Sequence, residues 1–189
     1  MINRSTIFLL LVLISAGCLP AGSYAADLKA ADLKTADLRP PFGIRAYDIG
    51  RATDFSLPDI DGEIFRLDQT RGKWVFLHFW ASWCGPCRKE MPSIQKLADT
   101  MKDQPFAIVM VNTAEDEDTI FTFLSAIDVE LNSLMDSDGL VTEQWKPRGL
   151  PTTFLINPQG EVKYQAIGGR DWAKDEYIKF IRQLLHTGK

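Results

Sequence analysis

Long apolar runs alternate with polar stretches along this chain in a way that assigns most of its elements. Trp74-Val75-Phe76-Leu77-His78-Phe79-Trp80 and Phe106-Ala107-Ile108-Val109-Met110-Val111-Asn112 are rich in β-branched and aromatic residues. Each reads as a buried strand. Between them, Met91, Ile94, Leu97, Ala98 and Met101 recur at helical spacing and predict a helix over residues 88–102. A second helix is expected over residues 116–127, with Ile120, Phe121, Phe123, Leu124 and Ile127 as its apolar face. Residues 131–135 read as a short strand, Asp136-Ser137-Asp138-Gly139 as a turn and residues 140–145 as a short helix. Residues 152–156 and 161–165 flank Asn157-Pro158-Gln159-Gly160 and predict a hairpin; residues 175–186 predict a last helix with Tyr177, Ile178, Ile181, Leu184 and Leu185 inward. Upstream, residues 54–57 and 63–67 bracket an Asp61-Gly62 pair and predict an earlier hairpin. Strand, helix, strand, helix, hairpin, helix is an α/β order, giving a central mixed sheet flanked by helices on both faces. The crossover sets the C-terminal ends of the two long strands side by side, at the edge where sites of open α/β sheets lie.

The first 42 residues do not belong to this pattern. Arg4 is the only charge in residues 1–25, Ile7 to Ile14 is wholly apolar, and small residues come next. This reads as a secretory signal, too short for a comfortable membrane span. Ser23-Tyr24-Ala25 fits a cleavage site. Ser15-Ala16-Gly17-Cys18 partly resembles a lipoprotein box, with serine where that box usually has leucine, and a retained membrane anchor is the third form. All three export the rest of the chain. Residues 26–42 hold a five-residue repeat, Ala-Asp-Leu-Lys/Arg plus one, ended by Pro40-Pro41. Five-residue spacing does not keep one helical face, so the repeat reads as a spacer, with a docking peptide as the alternative. The folded domain is expected over residues 43–189.

Composition narrows the class. The chain has 189 residues, 46% hydrophobic and 24% charged, which is ordinary for a globular domain with one good core. A formal charge of −4 gives no basic excess for a nucleic-acid surface. Three cysteines, two of them in one motif, argue against a disulfide-stapled scaffold.

The motif is Trp83-Cys84-Gly85-Pro86-Cys87, on the turn between the Trp74 strand and the helix after it. Unpaired N–H groups and the positive end of the helix dipole favour an anion there. A Cys84 thiolate is stabilised, its pKa lowered, and the thiolate is the nucleophile of disulfide exchange. Cys87 lies on the same face of the first turn and can close a disulfide, and Pro86 is tolerated so early in a helix. Cys84 is thus the attacking and Cys87 the resolving thiol. A zinc half-site lacks ligands, since only Cys18 and two distant histidines remain. A static disulfide closing so short a loop gains little.

Phe79 to Cys87 resembles the active site of thioredoxin-like proteins, and Arg88-Lys89-Glu90-Met91-Pro92 is similar to the TlpA-like branch. That branch contains exported thiol–disulfide oxidoreductases, including those serving cytochrome c maturation. The resemblance covers about residues 54–185. It implies a thioredoxin fold with an N-terminal β-hairpin extension and no cofactor beyond the cysteine pair. It also implies protein thiols as partners and a membrane thiol–disulfide electron donor. Gly149-Leu150-Pro151-Thr152-Thr153-Phe154 resembles the cis-proline loop. Pro151 would pack on the cysteine pair, and the Leu150 backbone would bind an extended substrate together with Trp83, Gly85 and Pro86. A trans proline opening a strand is the plain alternative.

Three side chains have two readings each. Glu115 resembles a functional glutamate that could shuttle the Cys87 proton, yet Glu115-Asp116-Glu117-Asp118 is also an acidic helix start. His78 stands where thioredoxin has a buried acid; it could take a proton from Cys87 or be a satisfied core histidine. Glu90 has a family counterpart but reads on its own as solvated, and Pro92 is expected to kink its helix. The expected activity is reduction of partner disulfides. An oxidase or isomerase, a peroxidase with a lone reactive cysteine, and a non-enzymatic partner-binding module are the rivals.

Overall fold

The computed structural model describes residues 38–127 and 129–187. Cys18, the signal and most of the spacer lie outside them. The strands are β1 (Ile44–Arg51), β2 (Ser56–Pro58), β3 (Ile64–Arg66), β4 (Trp74–Trp80), β5 (Phe106–Thr113), β6 (Ser133–Asp136), β7 (Thr152–Ile156) and β8 (Glu161–Ile167). The helices are α1 (Gly85–Met101), α2 (Glu117–Ala126), α3 (Leu140–Trp145) and α4 (Asp175–Thr187), with a 3-10 turn at Leu67–Thr70. Six strands form one mixed sheet in the order β1-β8-β7-β4-β5-β6, while β2 and β3 form the small antiparallel hairpin. β4 and β5 run parallel with Trp80 opposite Asn112, so both chains leave the sheet at one edge.

The continuous apolar run of β4 is explained by its central place: all seven residues are buried. Alternation divides its side chains between two cores. Trp74, Phe76 and Trp80 pack against Met91, Ile94 and Leu97 of α1, Ile120 and Leu124 of α2, and Phe180, Ile181 and Leu184 of α4. Val75, Leu77 and Phe79 face Phe55 and Leu57 of the hairpin region, Leu67, and Trp145 of α3. Helices therefore cover both faces unequally: three on one, and on the other a single short helix aided by the hairpin.

Two elements differ from the sequence expectation. β1 was not expected at all; it pairs antiparallel with β8 at the sheet edge. Only Ile44 of its eight residues is buried, and a register shift between Ala46 and Gly50 breaks the period of two. α1 begins at Gly85, three residues before the expected start, and runs without interruption through Pro92. Among the described residues no helix is long and apolar enough to cross a membrane.

Candidate active site

The motif sits where β4 hands over to α1. The Cys84 N–H donates to the Ala81 carbonyl at 3.2 Å, closing the turn, and Cys84 is the N-cap of α1 in extended conformation. Its Sγ accepts the Cys87 backbone N–H at 3.3 Å, the contact a capping oxygen makes in other helices. Cys84 and Cys87 form a disulfide, with Cα atoms 5.2 Å apart. Cys87 is fully buried, Cys84 is 5% exposed, and Trp83 beside them is 69% exposed. Gly85 and Pro86 are exposed as well. The outer sulfur is the one an incoming group meets.

A further segment lies against this turn and is tied to the proline loop. The Leu150–Pro151 peptide bond is cis. The Pro151 carbonyl accepts from the Gly168 N–H at 2.8 Å. The next residue, Gly169, lies against the turn: a Cβ there would stand 2.9 Å from the Pro86 carbonyl oxygen and 3.0 Å from its Cβ. Residues 168–169 thus join the proline loop to the cysteine loop, a role the sequence reading missed. The signal was the Gly168-Gly169 pair at the end of a strand. Gly169→Ala is expected to cost about 1–3 kcal/mol, because the obstructing atoms are backbone and ring. It should also shift the reduction potential of the cysteine pair, which a change confined to a remote loop would leave alone. Urea unfolding and redox equilibration of the same variant check both.

Glu115 reaches the turn from the other side. Its Oε2 accepts the Ser82 N–H and the Asn112 Nδ2–H, both at 2.7 Å, and its Oε1 accepts the Ser82 hydroxyl. The acidic run is therefore divided in two. Glu115 turns inward to residue 82, two positions before Cys84, while Asp116 caps α2 by accepting from Thr119 N at 2.8 Å. That backbone hydrogen bond holds the Asp116 carboxyl below its usual range.

His78 and Glu90 meet beneath the helix. His78 is fully buried and stacks on Phe76, ring centroids 5.6 Å apart. Its Nδ1 lies 2.9 Å from the Thr153 hydroxyl and its Nε2 lies 3.3 Å from Glu90 Oε1. Glu90 is 2% exposed, not solvated as its sequence context suggests. Its Oε2 accepts the Arg170 backbone N–H and the Trp172 Nε1–H, each at 3.1 Å. The inward position was readable from α1: Glu90 comes three residues after Cys87 and four before Ile94, on the buried stripe. Its charge hid it. Among the described residues no three His, Cys, Asp or Glu side chains group to hold a metal ion.

The sheet order, the cis-proline loop and a vicinal cysteine pair capping a helix define a thioredoxin-fold protein with a dithiol–disulfide centre. The chain belongs to the AhpC/TSA family, whose model matches residues 50–165. It is similar to the thiol-disulfide oxidoreductase ResA of Bacillus subtilis, 39% identical over 111 residues, 59% of this chain and 62% of that protein. ResA of Halalkalibacterium halodurans is 36% identical over 133 residues, 70% of this chain and 76% of that one. Among solved structures, a Chlorobium tepidum protein described as thiol:disulfide interchange protein DsbE superposes with a TM-score of 0.67 at 32% identity, covering 75% of this chain and 99% of that one. StoA of Bacillus subtilis superposes with a TM-score of 0.58 at 27% identity, covering 72% and 97%. The match to the Bacillus subtilis ResA spans a little under two thirds of that protein's length.

Proposed function

We propose that this chain is an exported protein thiol–disulfide oxidoreductase that reduces partner disulfides. The observation that carries the reading is Cys84 Sγ at the N-cap of α1, accepting the Cys87 N–H and bonded to Cys87. Once reduced, the same N–H and the helix dipole favour the Cys84 thiolate. That thiolate attacks one sulfur of a partner disulfide. The partner S–S bond breaks, a mixed disulfide forms and one partner thiolate leaves. Cys87 then gives up its proton and attacks Cys84 Sγ, releasing the second partner thiolate and leaving the Cys84–Cys87 disulfide. Two electrons pass to the partner, and a dithiol donor must return them.

Other features suit the supporting roles. The Leu150 backbone makes no hydrogen bond to another backbone group among the described residues, which suits it to pair with an extended substrate. Trp83 offers an exposed apolar surface beside the sulfur. Glu115 acts by fixing the turn at residue 82. The similarity to ResA and DsbE proteins and the signal-like N-terminus favour an exported, soluble or tethered enzyme with a membrane thiol donor. They also favour the haem-binding cysteines of apocytochrome c as the partner.

The deciding measurement is the reduction potential of the pair in a defined thiol buffer. A value near or below roughly −250 mV supports a reductase. A value near about −120 mV marks a strong oxidant and would sink the proposed direction while keeping the chemistry.

A further inference from the structure

A groove of about 590 Å³ runs along α1 away from the disulfide turn. Pro86, Lys89, Pro92 and Lys96 line it on the helix side, and Gly169 and Arg170 face them. Pro86 belongs to the cysteine loop, so the groove begins beside that loop. Lys89 and Lys96 are exposed and seven residues apart, which sets them on one helical face. Neither ammonium group has a hydrogen-bond or ion-pair partner among the described residues. Arg170 is held at the opposite wall, its Nη2 donating to the carbonyls of Ile167 and Gly168 at 2.9 and 3.1 Å. Two acids are also present. Glu90 is 2% exposed, its Oε2 accepting from Arg170 N and Trp172 Nε1 and its Oε1 facing His78. Asp171 is exposed and accepts from Ala173 N at 3.1 Å. The open helix side is therefore cationic on a chain whose formal charge is −4.

We infer that this groove docks an extended acidic segment of the partner protein beside the cysteine under exchange. The spacing sets the motif. Seven helical residues rise about 10 Å, which is about three residues of chain in the polyproline II conformation, whose three-residue turn returns every third side chain to the same face. Carboxylates three positions apart on the partner would reach Lys89 and Lys96 together. Like charge elsewhere on this acidic chain repels the same segment, so the groove orients it as well as binding it. The inference deepens the thiol–disulfide reading and rests on it.

Three synthetic peptides test it. Each carries one cysteine as a mixed disulfide with thionitrobenzoate, flanked on both sides by glutamates, glutamines or lysines three residues apart. The reduced full-length chain should release thionitrobenzoate from the glutamate peptide about three- to ten-fold faster than from the glutamine peptide at low ionic strength. High salt should erase that preference. In K89E/K96E the preference should vanish, or pass to the lysine peptide, while the glutamine-peptide rate stays at the wild-type value. Equal rates on glutamate and glutamine peptides, or a preference that survives K89E/K96E, would overturn the docking assignment. So would an equal slowing of all three peptides in K89E/K96E, since that marks an effect on the Cys84 thiolate instead. If the wild-type chain reduces none of the peptides, the thiol–disulfide reading itself fails.

Discussion

Cys87→Ser is expected to convert turnover into a trap. In that variant Cys84 still sits at the N-cap of α1 and still attacks, so a mixed disulfide with the partner forms and stays. The wild-type chain resolves it with a thiol held three residues away, on the same helical turn. Effective molarities for well-oriented internal groups reach about 10⁵ M or more. Against about 1 mM of external thiol, even a small fraction of that advantage makes release slower by roughly 10³-fold or more. Cys84→Ser should behave differently: no mixed disulfide and no turnover, because the remaining thiol is fully buried at position 87. Non-reducing electrophoresis of the two variants after incubation with a protein disulfide separates the roles. Equal trapping by both would show that the two sulfurs are interchangeable. Undiminished biological activity in the double variant would favour a partner-binding module over an enzyme.

The part of this site that lies along the chain was legible; the part assembled across it was not. The cysteine loop could be read because β4 and α1 announce themselves by two different periods, and the motif falls on the join. The cis bond at Pro151 was expected only through the resemblance of residues 149–154 to a family loop, since a proline at the start of a strand reads equally well as trans. Residues 168–172 were not legible. They carry no apolar period, and their role consists of contacts to Pro86, Glu90 and Ser93, some eighty positions earlier: Gly169 against Pro86, Arg170 N to Glu90, and Trp172 N to Ser93 Oγ at 3.0 Å. β1 escaped for a related reason. An edge strand with one buried residue shows no alternation, and only its pairing with β8 makes it a strand. Glu115 is an intermediate case. Its place after β5 was readable, but its engagement with Ser82 depends on the parallel register that sets Trp80 beside Asn112.

Removing the Glu90 carboxylate should be among the most damaging changes outside the cysteines, and the choice of replacement tells what the carboxylate does. Glu90 Oε2 takes two N–H donors, Arg170 N and Trp172 Nε1, while Oε1 faces His78 Nε2 at 3.3 Å. That last contact is not aligned as a hydrogen bond, and neither Oε1 nor Nε2 has another partner among the described residues. Glu90→Ala would orphan the Arg170 N–H and the Trp172 Nε1–H at once, take away the carboxylate that faces His78, and untie residues 170–172 from α1. A loss of about 3–5 kcal/mol is expected, as when one member of a buried pair is removed. Glu90→Gln separates two accounts of the pair. Its amide oxygen can accept both N–H groups, and its NH₂ can donate to His78 Nε2 if the imidazole proton resides on Nδ1, facing the Thr153 hydroxyl. A neutral, hydrogen-bonded arrangement therefore tolerates Gln within about 1 kcal/mol. An imidazolium–carboxylate pair does not: Gln would leave a buried cation facing donors, at a cost approaching that of Ala. A double-mutant cycle with His78→Phe measures the pair directly. The two positions should couple by about 0.5–3 kcal/mol in urea unfolding, and additive losses would show that the 3.3 Å approach carries no interaction.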